Sequence, residues 1–142
     1  MKSQDSDVVL VVEDDPATQA ALAELVEFDG FAAATASNGV DAFRYLRDSP
    51  RPRFIVLDLS MPKLDGYQFL AQQKQDPALA RIPVIMTTGR SPAEVSQIDA
   101  DAIFFKPVDV RLFLDVISHY RGVSSNHETL LNVPESAISG RS

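Results

Sequence analysis

Three consecutive acidic residues, Glu13, Asp14 and Asp15, follow the apolar run of residues 8–12. The run is continuous and rich in β-branched residues, as is typical of a strand that is buried on both faces of a parallel sheet. Carboxylates packed this closely repel one another unless a cation or a solvated turn compensates their charge. A cation site is therefore one interpretation. The other is a helix start, with Asp15 as the N-cap and Pro16 at the first helical position.

Further polar residues stand at the ends of three other apolar runs: Asp58, the pair Thr87 and Thr88, and Lys106. In an open α/β sheet, the side chains at the carboxyl ends of the strands meet at one edge, which is where such sheets bind their ligands. We therefore expect these residues to converge with the acidic run. Adjacent residues of a strand face opposite ways, so only one of the two threonines can reach the site.

The elements that position these residues follow a regular alternation. Apolar runs predict strands over residues 8–12, 31–36, 54–57, 84–88 and 102–105. Helical patterns predict helices over residues 16–28, 40–47 and 67–75, a fourth helix that begins at the capping box of residues 91–94, and a fifth over residues 110–120. Five βα units in series predict an α/β fold with a five-stranded, doubly wound parallel sheet. The chain is too short for an eight-stranded barrel.

The chain of 142 residues is predicted to form one domain over residues 8–121, with a flexible N-terminus (residues 1–7) and a polar C-terminal tail (residues 122–142) that is expected to be mobile. Its net charge of −7 and its pI near 4.7 argue against a general affinity for nucleic acids or anionic membranes. The sequence has no cysteine, which excludes disulfides and zinc–thiolate sites. Because it has neither a membrane-spanning run nor a signal-peptide pattern, the expected location is the cytoplasm.

The residues around four of the strands carry a resemblance to a known family. The first strand carries VVEDD, the third IVLDLSMPKLDG, the fourth PVIMTTG and the fifth FFKP. Over residues 8–121 the chain resembles the receiver domain of two-component response regulators. The resemblance implies a flavodoxin-like fold with strand order 2-1-3-4-5. It also implies a stand-alone phosphoacceptor signalling domain rather than an enzyme.

The resemblance further implies the roles of the acidic residues. Asp58 would be the phosphoacceptor, a carboxylate that becomes an acyl phosphate. Mg²⁺ would be bound by Asp14, Asp58 and the backbone carbonyl of Ser60. Glu13 would hold a water molecule that is bound to the metal.

Two more residues would bind the phosphoryl group. Thr88 would donate a hydrogen bond to one of its oxygens, and Lys106 would supply a positive charge. The bond between Lys106 and Pro107 is expected to be cis, as it usually is in the family. Many receivers carry an aromatic switch residue three positions before the lysine. Here that residue is Ile103, and Phe104 is the alternative carrier of the switch.

The implied function is transfer of a phosphoryl group from a sensor histidine kinase or a histidine phosphotransfer protein to Asp58. The modification would change a protein-binding surface on the predicted fourth helix, fifth strand and fifth helix, which a downstream protein recognises. One alternative is a receiver-like interaction module that does not use phosphate. Another is a Mg²⁺-dependent phosphatase with an aspartate nucleophile, disfavoured because Ser60 stands where that family requires a second aspartate. A nucleotide-binding protein is disfavoured because no glycine-rich loop follows the first strand.

Overall fold

Five parallel strands form one sheet in the computed structural model, which describes residues 7–59, 66–95 and 98–121. The strands are β1 (Val8–Val12), β2 (Ala32–Ala36), β3 (Phe54–Asp58), β4 (Val84–Thr88) and β5 (Ala102–Phe105). Their order is β2-β1-β3-β4-β5, and each pairing is parallel. The predicted fold class and strand order are confirmed, and each predicted strand agrees with the observed one to within one residue at either end.

Within the described residues, four α-helices flank the sheet: α1 (Pro16–Phe28), α2 (Gly39–Asp48), α3 (Gly66–Gln75) and α4 (Val110–Ser118). Helix α1 begins as predicted, because the carboxylate of its N-cap Asp15 accepts a hydrogen bond from the amide of Thr18 at 2.9 Å. The turn after α1 passes through Gly30, whose φ of 100° lies in the left-handed region that favours glycine. None of these helices is long and apolar enough to cross a membrane.

The sheet separates two hydrophobic cores, and alternate residues of each strand face opposite cores. The α1/α4 core packs one face of the sheet against α1 and α4, with Val9, Val11, Val56, Ile85, Phe104, Leu22, Val26, Phe113 and Ile117 among its members. The α2/α3 core packs the other face against α2 and α3, with Leu10, Val12, Leu57, Met86, Ala42, Leu46, Phe69 and Leu70 among its members. Core membership, together with the alternation along each strand, therefore shows to which side of the sheet a strand residue points.

The predicted fourth helix is observed as a 3₁₀ helix that begins at the predicted capping box. Its capping box does form, since the amide of Ser91 donates a hydrogen bond to Oε1 of Glu94 at 2.8 Å. In the described residues the box is followed by the 3₁₀ helix Pro92–Val95, and residues 98–100 are not helical. A capping box marks where a helix begins, whereas each further turn depends on apolar residues that pack. In this turn only Val95 is buried. The predicted fifth helix is the observed α4.

Candidate functional site

The acidic residues predicted to form a site lie together at the carboxyl ends of the two central strands. Asp58 is the last residue of β3, and β3 pairs in register with β1, which is followed by Glu13 and Asp14. One carboxylate oxygen from each of these three residues lies within 4.8 Å of the others. The Glu13 and Asp58 residues are 1% and 3% exposed, whereas Asp14 is open to solvent. The sheet thus presents a half-buried acidic cluster to solvent.

Lys106 reaches into the acidic cluster from the end of β5. Its Nζ lies 3.3 Å from Oε1 of Glu13 and 3.5 Å from Oδ1 of Asp58. Burial lowers the pKa of Lys106, but the charges of Asp58 and Glu13 more than offset that effect and hold the pKa above its ordinary value. The bond between Lys106 and Pro107 is cis, which confirms that prediction.

The ion pair with Lys106 does not fully compensate the effect of burial on the pKa of Glu13. Burial, reinforced by the charge of Asp58, raises the pKa of Glu13 to about 6, against the lowering effects of the Asp15 amide and of Lys106. When all four groups are ionised, three carboxylates and one ammonium carry a formal net charge of −2. A divalent cation would balance that charge, and carboxylate oxygens are the ligands that Mg²⁺ prefers. The donor set therefore fits a hard divalent metal ion.

The two threonines of β4 point to opposite sides of the sheet, as alternation requires. Thr87 is the register partner of Asp58. It stands two residues after Ile85 of the α1/α4 core, so its side chain lies on the α1/α4 side. Thr88 stands two residues after Met86 of the α2/α3 core and lies on the α2/α3 side. Its Oγ1 accepts a hydrogen bond from the amide of Arg90 at 2.9 Å. Both threonines are fully buried. The assignment of Thr88 to the phosphoryl group stays a prediction.

The residues proposed for an aromatic switch lie in different cores. The Phe104 ring packs edge-on against Phe113 in the α1/α4 core, with ring centroids 5.4 Å apart. It is 2% exposed and faces away from the side on which Thr88 lies. Ile103 and Phe105 pack against the α2/α3 core, on the same side as Thr88. The alternative of Phe104 as the switch carrier is therefore not supported by its position.

Some predicted features fall on residues that the structure does not describe. Ser60, whose carbonyl is predicted to bind the metal, lies outside the described residues. The same holds for residues 1–6 of the predicted flexible N-terminus and for the predicted tail, residues 122–142. The described residue Gly66 marks where the chain returns from the end of β3: its amide donates a hydrogen bond to the carbonyl of Leu59 at 2.8 Å. The first turn of α3 is thereby held next to the residue that comes after Asp58.

A groove of about 440 Å³ opens beside the acidic cluster, between α1 and the segment that comes after β5. Its walls include Ala17, Ala21 and Leu25 of α1 together with Lys106, Val108 and Val110. The side chain of Lys106 thus belongs both to the groove and to the acidic cluster. An apolar surface lies directly next to the charged site.

One residue that supports the site was not predicted from the sequence. The side-chain amide of Gln19 donates hydrogen bonds to the carbonyls of Glu13 (2.9 Å) and Ala36 (3.2 Å). It joins the carboxyl ends of β1 and β2 and so holds the backbone of Glu13 in place. The sequence carries only a weak signal for this role, which is a glutamine in the first turn of a helix whose neighbouring residues are mostly alanine.

This fold and site have counterparts among known proteins. The family model described as the response regulator receiver domain matches residues 9–118. The polar-differentiation response regulator DivK of Brucella anthropi is 29% identical over 118 residues, which cover 80% of this chain and 95% of DivK.

Solved structures agree with this comparison. The signal receiver domain of a response regulator from Bermanella marisrubri is 34% identical, and the match covers 79% of this chain and 95% of that chain with a TM-score of 0.71. The Mn²⁺-bound form of response regulator Rcp1, a protein of Synechocystis, is 26% identical, with coverage of 84% and 98% and a TM-score of 0.68. The likeness therefore extends over nearly the whole of these chains.

Proposed function

Because the chain belongs to the family of response regulator receiver domains, we propose that it accepts a phosphoryl group on Asp58 from a histidine kinase or a histidine phosphotransfer protein. The observation that carries this proposal is the position of Asp58. This carboxylate ends a central strand, 3.5 Å from the ammonium of Lys106 and within reach of two further carboxylates. A nucleophile beside a cation and a metal-binding set suits phosphoryl transfer.

The transfer is a displacement at phosphorus. A carboxylate oxygen of Asp58 forms the new bond to phosphorus, the bond to the donor's histidine nitrogen breaks, and the electron pair of that bond returns to the imidazole. Lys106 binds a phosphoryl oxygen through its ammonium, and the hydroxyl of Thr88 donates a hydrogen bond to another. Lys106 offsets part of the negative charge that the site gains, and the hydrogen bond from Thr88 stabilises the phosphoryl oxygen that accepts it.

A bound Mg²⁺ would neutralise charge between Asp58 and the incoming phosphoryl group. Asp14 and Asp58 would bind it directly, together with the carbonyl of Ser60, and Glu13 would orient one of its waters. Support comes from the three converging carboxylates and from the Mn²⁺-bound form of Rcp1, a similar receiver.

The donor protein docks in the groove beside α1. Ala17, Ala21 and Leu25 offer it an apolar surface, and Lys106 connects that surface with the reacting carboxylate. A donor held there has its phosphohistidine directed toward Asp58. The receiver is a signalling domain of the cytoplasm, and its output is a changed protein-binding surface formed by the 3₁₀ helix, β5 and α4.

The test is intact-protein mass spectrometry after incubation with Mg²⁺ and acetyl phosphate, with Asp58→Asn as the matched control. We expect the wild type to gain one phosphoryl group, and we expect no gain in the variant or in the presence of EDTA. A folded wild type that gains nothing from acetyl phosphate and nothing from a histidine kinase would favour the phosphate-independent interaction module instead.

A further inference from the structure

A side-chain hydrogen bond joins α3 to the 3₁₀ helix. The hydroxyl of Tyr67, in the first turn of α3, donates to the main-chain carbonyl of Glu94 at 3.2 Å. Tyr67 is 41% exposed, so its ring lies at the surface between the two elements. The bond connects the helix after the phosphoacceptor strand with the segment after Thr88.

The α3 end of this connection is held firmly to the phosphoacceptor strand. The amide of Gly66 donates to the carbonyl of Leu59 at 2.8 Å. The backbones approach so closely there that a Cβ on Gly66 would lie 2.7 Å from the Cα of Leu59. The backbone that carries Tyr67 is therefore held in a fixed position relative to Asp58.

The other end of the connection leads back to Thr88 through a short series of hydrogen bonds. Oγ1 of Thr88 accepts from the amide of Arg90 at 2.9 Å. The amide of Ser91 donates to Oε1 of Glu94 at 2.8 Å, and the amide of Glu94 donates to the carbonyl of Ser91 at 3.0 Å. Thr88 is therefore connected to the carbonyl that Tyr67 binds through these hydrogen bonds and the main chain between Arg90 and Ser91.

We infer that Tyr67 is a positioning residue that latches the 3₁₀ helix to α3 and is released when Thr88 turns to a phosphoryl oxygen on Asp58. This inference rests on the proposed function. Ile103 has no ring to move, and Phe104 lies in the opposite core. Tyr67 is an aromatic side chain that directly contacts the segment expected to move, and it does so through a hydroxyl group that one substitution removes.

A latch of this kind stabilises the arrangement in which Thr88 binds the amide of Arg90. A ligand that favours the other arrangement must overcome that stabilisation, so its apparent affinity is lower while the latch is intact. Loss of a hydrogen bond between neutral groups changes such an equilibrium by about two- to tenfold. Tyr67→Phe should therefore bind a phosphoryl mimic more tightly than the wild type.

The experiment is calorimetric titration of the full chain with beryllofluoride in Mg²⁺, comparing the wild type, Tyr67→Phe and the matched control Tyr45→Phe. Tyr45 is half-buried on α2 and packs against the α2/α3 core. We expect affinity to rise about two- to tenfold in Tyr67→Phe, and to stay at the wild-type value in Tyr45→Phe. Hydrogen exchange of the amides of residues 90–95 should be faster in free Tyr67→Phe and equal to the wild type once beryllofluoride is bound.

Each outcome decides the inference. Equal or weaker affinity in Tyr67→Phe, with the wild type binding normally, overturns the latch and leaves the proposed function in place. Exchange that stays faster in the loaded variant assigns Tyr67 a purely structural role and also overturns it. A wild type that shows no Asp58-dependent binding overturns the proposed function and the latch together.

Discussion

Asp58 and Thr87 occupy the same register on the neighbouring strands β3 and β4, and both side chains lie on the α1/α4 side of the sheet. Within the described part of the chain, the hydroxyl of Thr87 is buried and has no hydrogen-bond partner. An unpaired buried hydroxyl costs free energy that an isosteric methyl group does not. The hydroxyl of Thr87 therefore makes the folded protein less stable than it would be with a methyl group in the same place.

Replacement of this hydroxyl tests that cost. We expect Thr87→Val to raise the free energy of unfolding by about 1 kcal/mol. Thr88→Val is the matched control and should lower it, because the amide of Arg90 then loses its acceptor. Urea unfolding followed by circular dichroism measures both, and a destabilised Thr87→Val would show that the hydroxyl has a partner in solution.

Ionised Glu13 should destabilise the metal-free fold at neutral pH. Its pKa rises from 4.5 to about 6 on folding, so the folded protein holds the proton more tightly than the unfolded chain. The free energy of unfolding therefore falls as the pH rises from 4.5 to about 6, and above that range the full decrease is present. We expect Glu13→Gln in EDTA to be about 1–2 kcal/mol more stable than the wild type at neutral pH.

The pH dependence of the stability difference is the control for the prediction on Glu13→Gln. Well below pH 4.5, where Glu13 is protonated in both the folded and the unfolded state, the difference between Glu13→Gln and the wild type should disappear. Urea unfolding across the pH range measures it. A difference that is constant with pH would contradict an origin in the ionisation of Glu13.

Mg²⁺ should stabilise the wild type by binding only the folded protein. At a concentration 100 times its Kd, the expected gain in unfolding free energy is about 2.7 kcal/mol. Asp14→Asn should lose most of this gain, because the exposed member of the acidic cluster becomes neutral. Asp15→Asn is the matched control: asparagine caps a helix as well as aspartate does, so the Mg²⁺ effect should persist. Thermal unfolding with and without Mg²⁺ gives both results, and equal losses would disprove the assignment of Asp14.

The groove beside α1 should matter for protein donors and not for small ones. Ala21→Arg places a long charged side chain in the groove and should slow phosphotransfer from a histidine kinase by about tenfold or more, the effect of losing about 1.4 kcal/mol of binding. Phosphorylation by acetyl phosphate should keep its wild-type rate. Ala20→Arg, on an exposed neighbouring position outside the groove walls, is the control. Slowing by Ala20→Arg to the same extent would locate the donor elsewhere.

The sequence predicts well those features that depend on local composition. Continuous β-branched runs mark strands buried on both faces, and the polar residue after each run marks the edge where the site forms. Asp15 is recognisable as a cap because its type, and the proline after it, are helix-start signals. The convergence of Glu13, Asp14 and Asp58 follows the strand order, which places the ends of β1 and β3 side by side.

The features that sequence reasoning missed depend on contacts between distant segments. The capping box at Ser91 forms, but it carries no local signal for the type of helix that follows, which is 3₁₀ over Pro92–Val95. Alternation shows that Thr87 and Thr88 face opposite sides of the sheet, but only the packing of the two cores shows which side each of them faces. The bond from Tyr67 to Glu94 joins residues 27 apart and leaves no periodic trace.

The separation of the two cores by the sheet has an evolutionary consequence. The groove proposed for the donor lies on the α1/α4 side, whereas Thr88 points to the α2/α3 side and Val95 of the 3₁₀ helix packs in the α2/α3 core. Substitutions at distant sites without shared partners combine nearly independently. A duplicated gene can therefore acquire a new kinase through changes in the groove walls of α1 while Thr88 and the 3₁₀ helix stay unchanged on the other side. Selection against crosstalk between paralogues can act on donor recognition without altering the residues that respond to the phosphoryl group.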